Sequence, residues 1–433
     1  MKSRTSFICQ QCGNETPQWL GKCPSCGAWN SLVETTRFTP KGSTANTTIA
    51  KTVTPVILST VKSVKSQRVS TKLTEFDRVL GDGIVPGGVI LVAGDPGVGK
   101  STLLLKLVGN VTGLYVAGEE SAQQVKLRAE RLGINQESVS IVSETNVESI
   151  INSITHMPQK PTVIIIDSIQ TLTSDNLEGV AGSVGQIRYS AQLLIQLAKQ
   201  QQIPVFIVGH VTKEGTIAGP KILEHMVDVV CYFEGERYYQ GRILRTLKNR
   251  FGPTDEVGIF EMVDNGLEEI SNPSKLFLEG RVKNVPGSTV GVTLEGTRPL
   301  LVEIQSLVVS SQLAMPRRVV NGIDFNRLQV ILAILQKRLN LPLGTFDVFV
   351  NVSGGLKLKE PATDLPVALS LISAFKNKAL PDDLASFGEL GLLGELRRVQ
   401  GEEKRIKEAQ RLGFKTLISP SNYASLKDIK VFI

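Results

Sequence analysis

The sequence predicts an α/β phosphate-loop nucleotide-binding core, with a small N-terminal zinc finger before it and a separate C-terminal α+β domain after it. Three observations predict this. Four of the five cysteines fall in two C-x2-C pairs within the first 26 residues. A short apolar run, VILVA, leads directly into GDPGVGKST and then into LLLKLV. From about residue 275 the pattern changes to short alternating strands and amphipathic helices.

The bulk properties bound the answer. At 433 residues the chain is long enough for two or three folded units. Hydrophobic residues make up 41% and charged residues 21%, with mean hydropathy near zero, a globular composition. No stretch approaches the ~20 apolar residues of a membrane span, and no signal-peptide core precedes the first cysteine. The expectation is a soluble cytoplasmic protein with no membrane partner. Forty-eight Lys and Arg against 41 Asp and Glu give +7, which suits a polyanionic partner and equally an ordinary basic protein.

Residues 9–26 read CQQCGNETPQWLGKCPSC, so Cys9 and Cys12 form one pair and Cys23 and Cys26 the other. Each pair can wrap one side of a tetrahedral Zn²⁺. Gly13 and Gly27 follow the second cysteine of each pair and permit the tight knuckle that aims both sulfurs inward. Four thiolates close the site, so the zinc is structural, and its binding energy folds a segment too short for its own core. Trp19 and Trp29 flank the second knuckle, placed to cover the metal site or to stack on nucleobases or a partner. Residues 34–66 are rich in Thr, Ser and Lys, contain Pro40 and Pro55, and read as a linker.

The run VILVA (89–93) fits a buried parallel strand, and the apolar LLLKLV fits a buried helix, so GDPGVGKST sits between strand and helix as a phosphate loop. Gly94, Asp95, Pro96, Gly97, Val98, Gly99, Lys100, Ser101 and Thr102 form the expected ATP-binding segment. Its glycines turn backbone N–H groups toward the phosphates, Lys100 reaches the β/γ oxygens, and Ser101 offers a hydroxyl to Mg²⁺. A second run, TVIIID (162–167), ends in Asp167, a second magnesium residue at a strand end. LYVAGEES puts Glu119 and Glu120 after a third strand, where one carboxylate could activate water or both could simply favour a helix N-terminus. His210 ends a fourth strand, VFIVG (205–209).

The order of zinc knuckles, LGDGIVPGGVILVAGDPGVGKST, YVAGEES, IIIDSIQT, GHVTKEGTIAGPKILEHMVD and LKNRFGPT resembles the bacterial RadA/Sms family across nearly the whole chain. The resemblance implies a RecA-like ATPase core over 67–272, after a zinc finger at 1–33 and the linker. In GEES the spacing also resembles DnaB-type helicases, which makes Glu119 the catalytic base and Glu120 its neighbour. KNRFG (248–252) is similar to the family's most distinctive motif, and Lys248 and Arg250 match the basic pair that related ring helicases insert into a neighbour's ATP site. A homo-oligomer, expected as a hexameric ring, follows. His210 resembles a γ-phosphate sensor, with a structural histidine as the alternative. GVAGSVGQIR (179–188) and VTKEGTIAGPK lie where such cores place DNA-facing loops, with Arg188, Lys213 and Lys221 as phosphate contacts or ordinary surface charges.

The C-terminal domain (273–433) resembles a Lon-protease domain. In KEPATDLPVALS the serine position holds Val367, and in VQGEEKR the lysine position holds Glu403, with Lys404 one residue away. Valine has no nucleophilic atom, so no proteolysis is expected. Lys357, Lys359, Arg397 and Arg398 are candidate basic surface residues there. The combined expectation is a DNA-dependent ATPase on single-stranded and branched DNA in repair and recombination. The resemblance adds D-loop extension by branch migration together with RecA. The competing classes are a Lon-type ATP-dependent protease and a regulatory scaffold that binds ATP without hydrolysing it.

Overall fold

The computed structural model describes residues 3–9, 14–25, 27–38, 57–60, 68–210, 219–235 and 241–431. The chain divides between Glu269 and Ile270 into two compact units.

Unit 1 begins with a three-stranded antiparallel sheet, order β2-β1-β3, made of β1 (Ser3–Cys9), β2 (Glu15–Thr16) and β3 (Leu32–Phe38). β1 and β3 pair along their whole length, from Ser3 opposite Phe38 to Cys9 opposite Leu32. Residues 34–38 are therefore strand, not linker as expected. Their Thr-rich sequence carries no local signal of its own and becomes a strand because β1 offers it a full ladder. Among the described residues Cys9, Cys23 and Leu32 form a small buried apolar cluster, with Phe7 and Leu20 against them.

The nucleotide-binding core follows. Its elements are α1 (Thr74–Leu80), β4 (Val89–Gly94), α2 (Lys100–Val111), β5 (Gly113–Ala117), α3 (Ala122–Arg131), β6 (Val139–Val142), α4 (Val147–Thr155) and β7 (Ile164–Asp167). They continue with α5 (Val184–Gln201), β8 (Val205–His210), α6 (Gly219–Glu224), β9 (Val229–Glu234), β10 (Gly241–Asn249), β11 (Val257–Val263) and β12 (Gly266–Glu269). The sheet order is β12-β11-β10-β9-β4-β8-β7-β5-β6, parallel from β9 to β6 and antiparallel across β9 to β12. Period-two alternation assigns each strand's side chains to two cores. Ile90 and Val92 pack with α2 and α3, while Val89, Leu91 and Ala93 pack with α4 and α5. Burial on both faces explains why these strands read as unbroken apolar runs.

Unit 2 holds α7 (Pro273–Phe277), β13 (Ser288–Glu295), β14 (Arg298–Ser310), β15 (Arg318–Asn321), α8 (Phe325–Leu339), β16 (Phe346–Val352), α9 (Asp364–Lys376) and β17 (Leu384–Ser386). The hairpin β18 (Glu389–Leu390) and β19 (Leu396–Arg397), then α10 (Glu402–Arg411) and β20 (Thr416–Ile418), complete it. Its six-stranded mixed sheet has the order β15-β16-β14-β13-β17-β20. Among the described residues no helix is long and apolar enough to cross a membrane.

Candidate active site

Strand register gathers the site. Gly94 at the end of β4 lies opposite His210 at the end of β8, and Ala117 of β5 lies opposite Asp167 of β7. The carboxyl ends of four parallel strands thus form one edge, where sheets of this kind bind ligands.

The phosphate loop bridges β4 and α2. Gly94 has φ +152°, and a Cβ there would stand 2.3 Å from the Phe233 carbonyl oxygen, so a side chain cannot fit. Gly99 caps α2 without a side chain, and no acid occupies the first helical turn. The first-turn N–H groups are left for an anion. Val98 is buried and anchors the loop, whereas Asp95, Pro96 and Gly97 are exposed. Ser101 and Thr102 sit half-buried in the first turn of α2. Lys100 folds back, its Nζ donating to the carbonyls of Gly94 at 2.8 Å and Asp95 at 2.9 Å. Burial lowers its ammonium to about 8, against the pull of Asp167, Asp95 and Glu119.

Asp167 is buried and accepts a hydrogen bond at Oδ2 from the Tyr115 hydroxyl. Burial, then the Asp167 charge, pushes the Tyr115 phenol well above its ordinary value, so it keeps the proton it donates. Asp167 and the Ser101 hydroxyl are hard oxygen donors at one strand edge, the set that suits Mg²⁺ beside a nucleotide's phosphates. Magnesium bound there would draw charge from the β- and γ-phosphates.

The two glutamates separate cleanly. Glu120 is paired with Arg128 of α3. Glu119 accepts a hydrogen bond from the Ser168 hydroxyl, and its Oε1 lies 3.3 Å from His210 Nε2. That Glu119 contact is the one close polar approach of the His210 side chain among the described residues. The His210 ring first, then Ser168 and Lys100, hold the Glu119 carboxyl at about 2 despite its partial burial. It is therefore a carboxylate at any working pH. Tyr115, Ser168 and Arg128 went unread in the sequence. Ser168 adjoins Asp167, and a tyrosine inside an apolar strand was the available signal for Tyr115.

Lys248 and Arg250 lie elsewhere. Lys248 pairs with Val230 of β9 across a bulge in β10, and the Arg250 N–H donates to the Asp228 carbonyl, beside Val89. This is the amino-end edge of β4, about 17 Å of strand away from the phosphate loop. The Lys248 ammonium donates to the carbonyls of Glu224 and Val227, at 2.7 and 2.8 Å, and Arg250 contacts Asp228 at 3.4 Å with its side chain 56% exposed. The two basic groups share one turn, between α6 and β9.

Of the two glycine-containing segments, 184–188 is the first turns of α5 rather than loop, with Arg188 exposed on it. The buried Gln186 side chain fastens the preceding loop, bonding Ser174 N–H at 2.8 Å and the Leu177 carbonyl at 2.6 Å. Lys213 and the Lys221 side chain lie outside the described residues.

In the metal module, Cys9 and Cys23 are buried together. Turn hydrogen bonds Cys9 N–H to Asn14, Cys23 N–H to Ala28 and Gly27 N–H to Cys23 shape both knuckles, with Gly27 at φ +74°. Two buried thiols in paired turns, with little apolar core beside them among the described residues, fit a thiolate-bound zinc. Cys12 and Cys26 lie outside the described residues. Trp19 and Trp29 are 54% and 72% exposed, so they do not cover this core as expected. Cys231 is remote in β9, and burial raises its thiol to about 12, leaving it inert.

In unit 2, Val367 is buried in α9, and Glu403 and Lys404 both face solvent on α10. The inward-facing base is Arg405, fully buried, with both terminal nitrogens on Glu360 at 2.7 and 2.6 Å. Lys357, Lys359, Arg397 and Arg398 are exposed, and Arg397 pairs with Glu395.

Three family models match: a rubredoxin metal-binding domain over residues 7–34, KaiC ATPase over 69–272, and subunit ChlI of Mg-chelatase over 315–423. The chain is 48% identical to the DNA repair protein RadA of Bacillus subtilis (strain 168) over 428 residues, 97% of this chain and 93% of that protein. It is 49% identical to the DNA repair protein RadA of Streptococcus pyogenes serotype M1 over 425 residues, with the same coverage of each chain, 97% and 93%. Among solved structures it is similar to the RadB recombinase, with 22% identity and TM-score 0.38 over 47% of this chain and 99% of that one. A DnaB-like replicative helicase gives 16% identity and TM-score 0.42 over 47% and 62%. With near-half identity along almost its whole length, the chain belongs to the RadA family of DNA repair proteins, which here combines a zinc ribbon, a RecA-like ATPase core and a Lon-protease-like α+β domain.

Proposed function

We propose that this chain is a DNA-dependent ATPase working as a ring of identical subunits, a hexamer, on single-stranded and branched DNA. In this reading it moves along single strands and extends D-loops by branch migration, in the cytoplasm and together with RecA. ATP with Mg²⁺ is the fuel, and Zn²⁺ holds the N-terminal module.

One observation carries the reading. Lys248 and Arg250 sit on the sheet edge opposite their own phosphate loop, so any role for them in hydrolysis requires the ATP site of a second copy. Within each site the chemistry divides simply. Glu119 takes a proton from the attacking water as its oxygen bonds to the γ-phosphorus and the bond to ADP breaks. Lys100 and the N–H groups of α2 hold the phosphate charge, and Arg250 from the neighbour meets the charge that grows in the transition state. Coupling each turnover to a neighbour is what lets a ring act in sequence.

The test is ATP hydrolysis with and without single-stranded DNA, for the parent, Lys248→Ala and Arg250→Ala. DNA stimulation that Arg250→Ala lowers by about 10³-fold is expected. Because Lys248 also fastens the turn after α6, its variant is read beside a melting curve. Mixing Arg250→Ala with Glu119→Gln subunits should restore activity above either alone, since each supplies what the other lacks. Hydrolysis indifferent to DNA and to both substitutions overturns the motor reading.

A further inference from the structure

The zinc module carries two large aromatic side chains that stay mostly exposed. Trp19 and Trp29 are 54% and 72% exposed and do not stack on each other. Both rings border the space beside Gly21. A Cβ built there would lie 3.8 Å from Cη2 of Trp19 and 3.8 Å from Cζ3 of Trp29. The nearest ring edges are thus no more than about two contact distances apart, and both meet the space that a side chain at position 21 would fill.

Glycine is not needed at position 21 for its backbone, because its φ lies outside the left-handed region. What it contributes is space. The floor is fixed: Asn30 N–H donates to the Gly21 carbonyl at 2.8 Å, and Lys22 and Trp29 form an antiparallel bridge. Lys22 Nζ stands 5.7 Å from the centroid of the Trp29 ring. That ammonium steadies the indole and places a positive charge beside it. It also repels a cationic ligand. Between Thr16 and Val33 there is no Asp or Glu to oppose an anion.

From this geometry we propose that Trp19, Gly21, Lys22 and Trp29 form a stacking slot for an unpaired nucleobase, with Lys22 meeting the adjoining phosphate of a single strand. A flat, uncharged ring linked to an anion is the ligand such a slot fits, and stacking on indole is indifferent to sequence. The inference deepens the reading that the protein works on single-stranded DNA, and rests on it.

The chain has only these two tryptophans, so tryptophan emission excited to the red of tyrosine absorption reports on the slot alone. The zinc-loaded full-length protein is titrated with labelled oligo-dT and, separately, with an abasic deoxyribose-phosphate oligomer of equal length. Label anisotropy and tryptophan emission are read together. Both oligomers should bind, but only the base-bearing one should quench tryptophan, and oligo-dT should bind the more tightly. Gly21→Val keeps both indoles and plugs the slot. It should abolish the quench and weaken oligo-dT binding by roughly ten-fold, to the abasic level, with zinc content unchanged. Trp29→Phe should retain most of the affinity and Trp29→Ala should not. Oligo-dT binding without quenching, and unaltered by Gly21→Val, overturns the slot while leaving DNA binding standing. Failure to bind either oligomer overturns the DNA reading and the slot with it. Quenching by an aromatic peptide and not by oligo-dT would assign the slot to a protein and overturn the proposal.

Discussion

Two buried cations in this chain, Lys100 in unit 1 and Arg405 in unit 2, are held in opposite ways. Arg405 spends its hydrogen-bonding capacity on its own fold. It donates to Glu360 through both terminal nitrogens and to the carbonyls of Val292 at 2.6 Å and Gln400 at 3.1 Å, and stands 5.7 Å from the Phe387 ring. Glu360 in turn accepts from Thr293 and from Leu294 N–H, at 2.8 and 2.6 Å. Four of its five N–H groups are thereby committed within unit 2. Among the described residues Lys100 makes two bonds, both to loop carbonyls, beside uncapped N–H groups and the ring of His210, which approaches the Glu119 carboxylate at 3.3 Å. The difference teaches where chemistry can occur: groups that are buried but incompletely satisfied are poised for a substrate, whereas closed networks are structure.

The comparison breaks most visibly at Glu119. Glu119→Gln keeps the shape and removes the base, so kcat should fall by about 10²- to 10⁴-fold while ATP binding by a fluorescent analogue stays near the parent value. Glu120→Gln should cost far less, because Glu120 is already committed to Arg128. Equal losses from both substitutions would mean that the strand-end pair acts as a simple acidic patch.

The closed network makes the second test. Arg405→Leu strands Glu360 beside an apolar residue and should destabilise unit 2 by about 3–5 kcal/mol. The double substitution of Arg405→Leu with Glu360→Leu should recover most of that loss, since no uncompensated charge remains. Calorimetry resolves the two units if each melts separately, and ATP hydrolysis should then persist through the transition of unit 2. A single Arg405 variant as stable as the parent would show that the pair carries no structural weight.

Much of this contrast was legible in the sequence, and the misses have physical causes. VILVA, YVA, TVIIID and VFIVG announced four central strands because burial on both faces leaves them uniformly apolar. Strand β6 is half-exposed and β3 is Thr-rich, so neither has such a run, and both exist through their partners. In α10 the sequence register puts Glu403, with Lys404 beside it, at the lysine position, whereas the inward-facing base is Arg405. The helical period settles it, because Arg405 and Ala409 are four apart and both buried. The Tyr115 contact with Asp167 joins residues on adjacent strands, and no spacing rule in one sequence displays that. Lys248 and Arg250 were found from the motif, but their distance from the phosphate loop needed the sheet register.

The smallest expected effect sharpens the comparison through pH. Burial lowers Lys100 to about 8 from its ordinary 10.5. Between those two values the unfolded chain binds the proton that the folded chain has released, so stability without nucleotide should rise slightly with pH in that window. Nucleotide affinity should move the other way, weakening as pH passes 8 because the ammonium that meets the phosphates is lost. Glu119, held at about 2, contributes nothing to either trend above neutrality. Opposite slopes, from thermal melting without nucleotide and from ATP titration over pH 7–10, would locate the incompletely satisfied charge at Lys100. Slopes of the same sign would place the titrating group elsewhere.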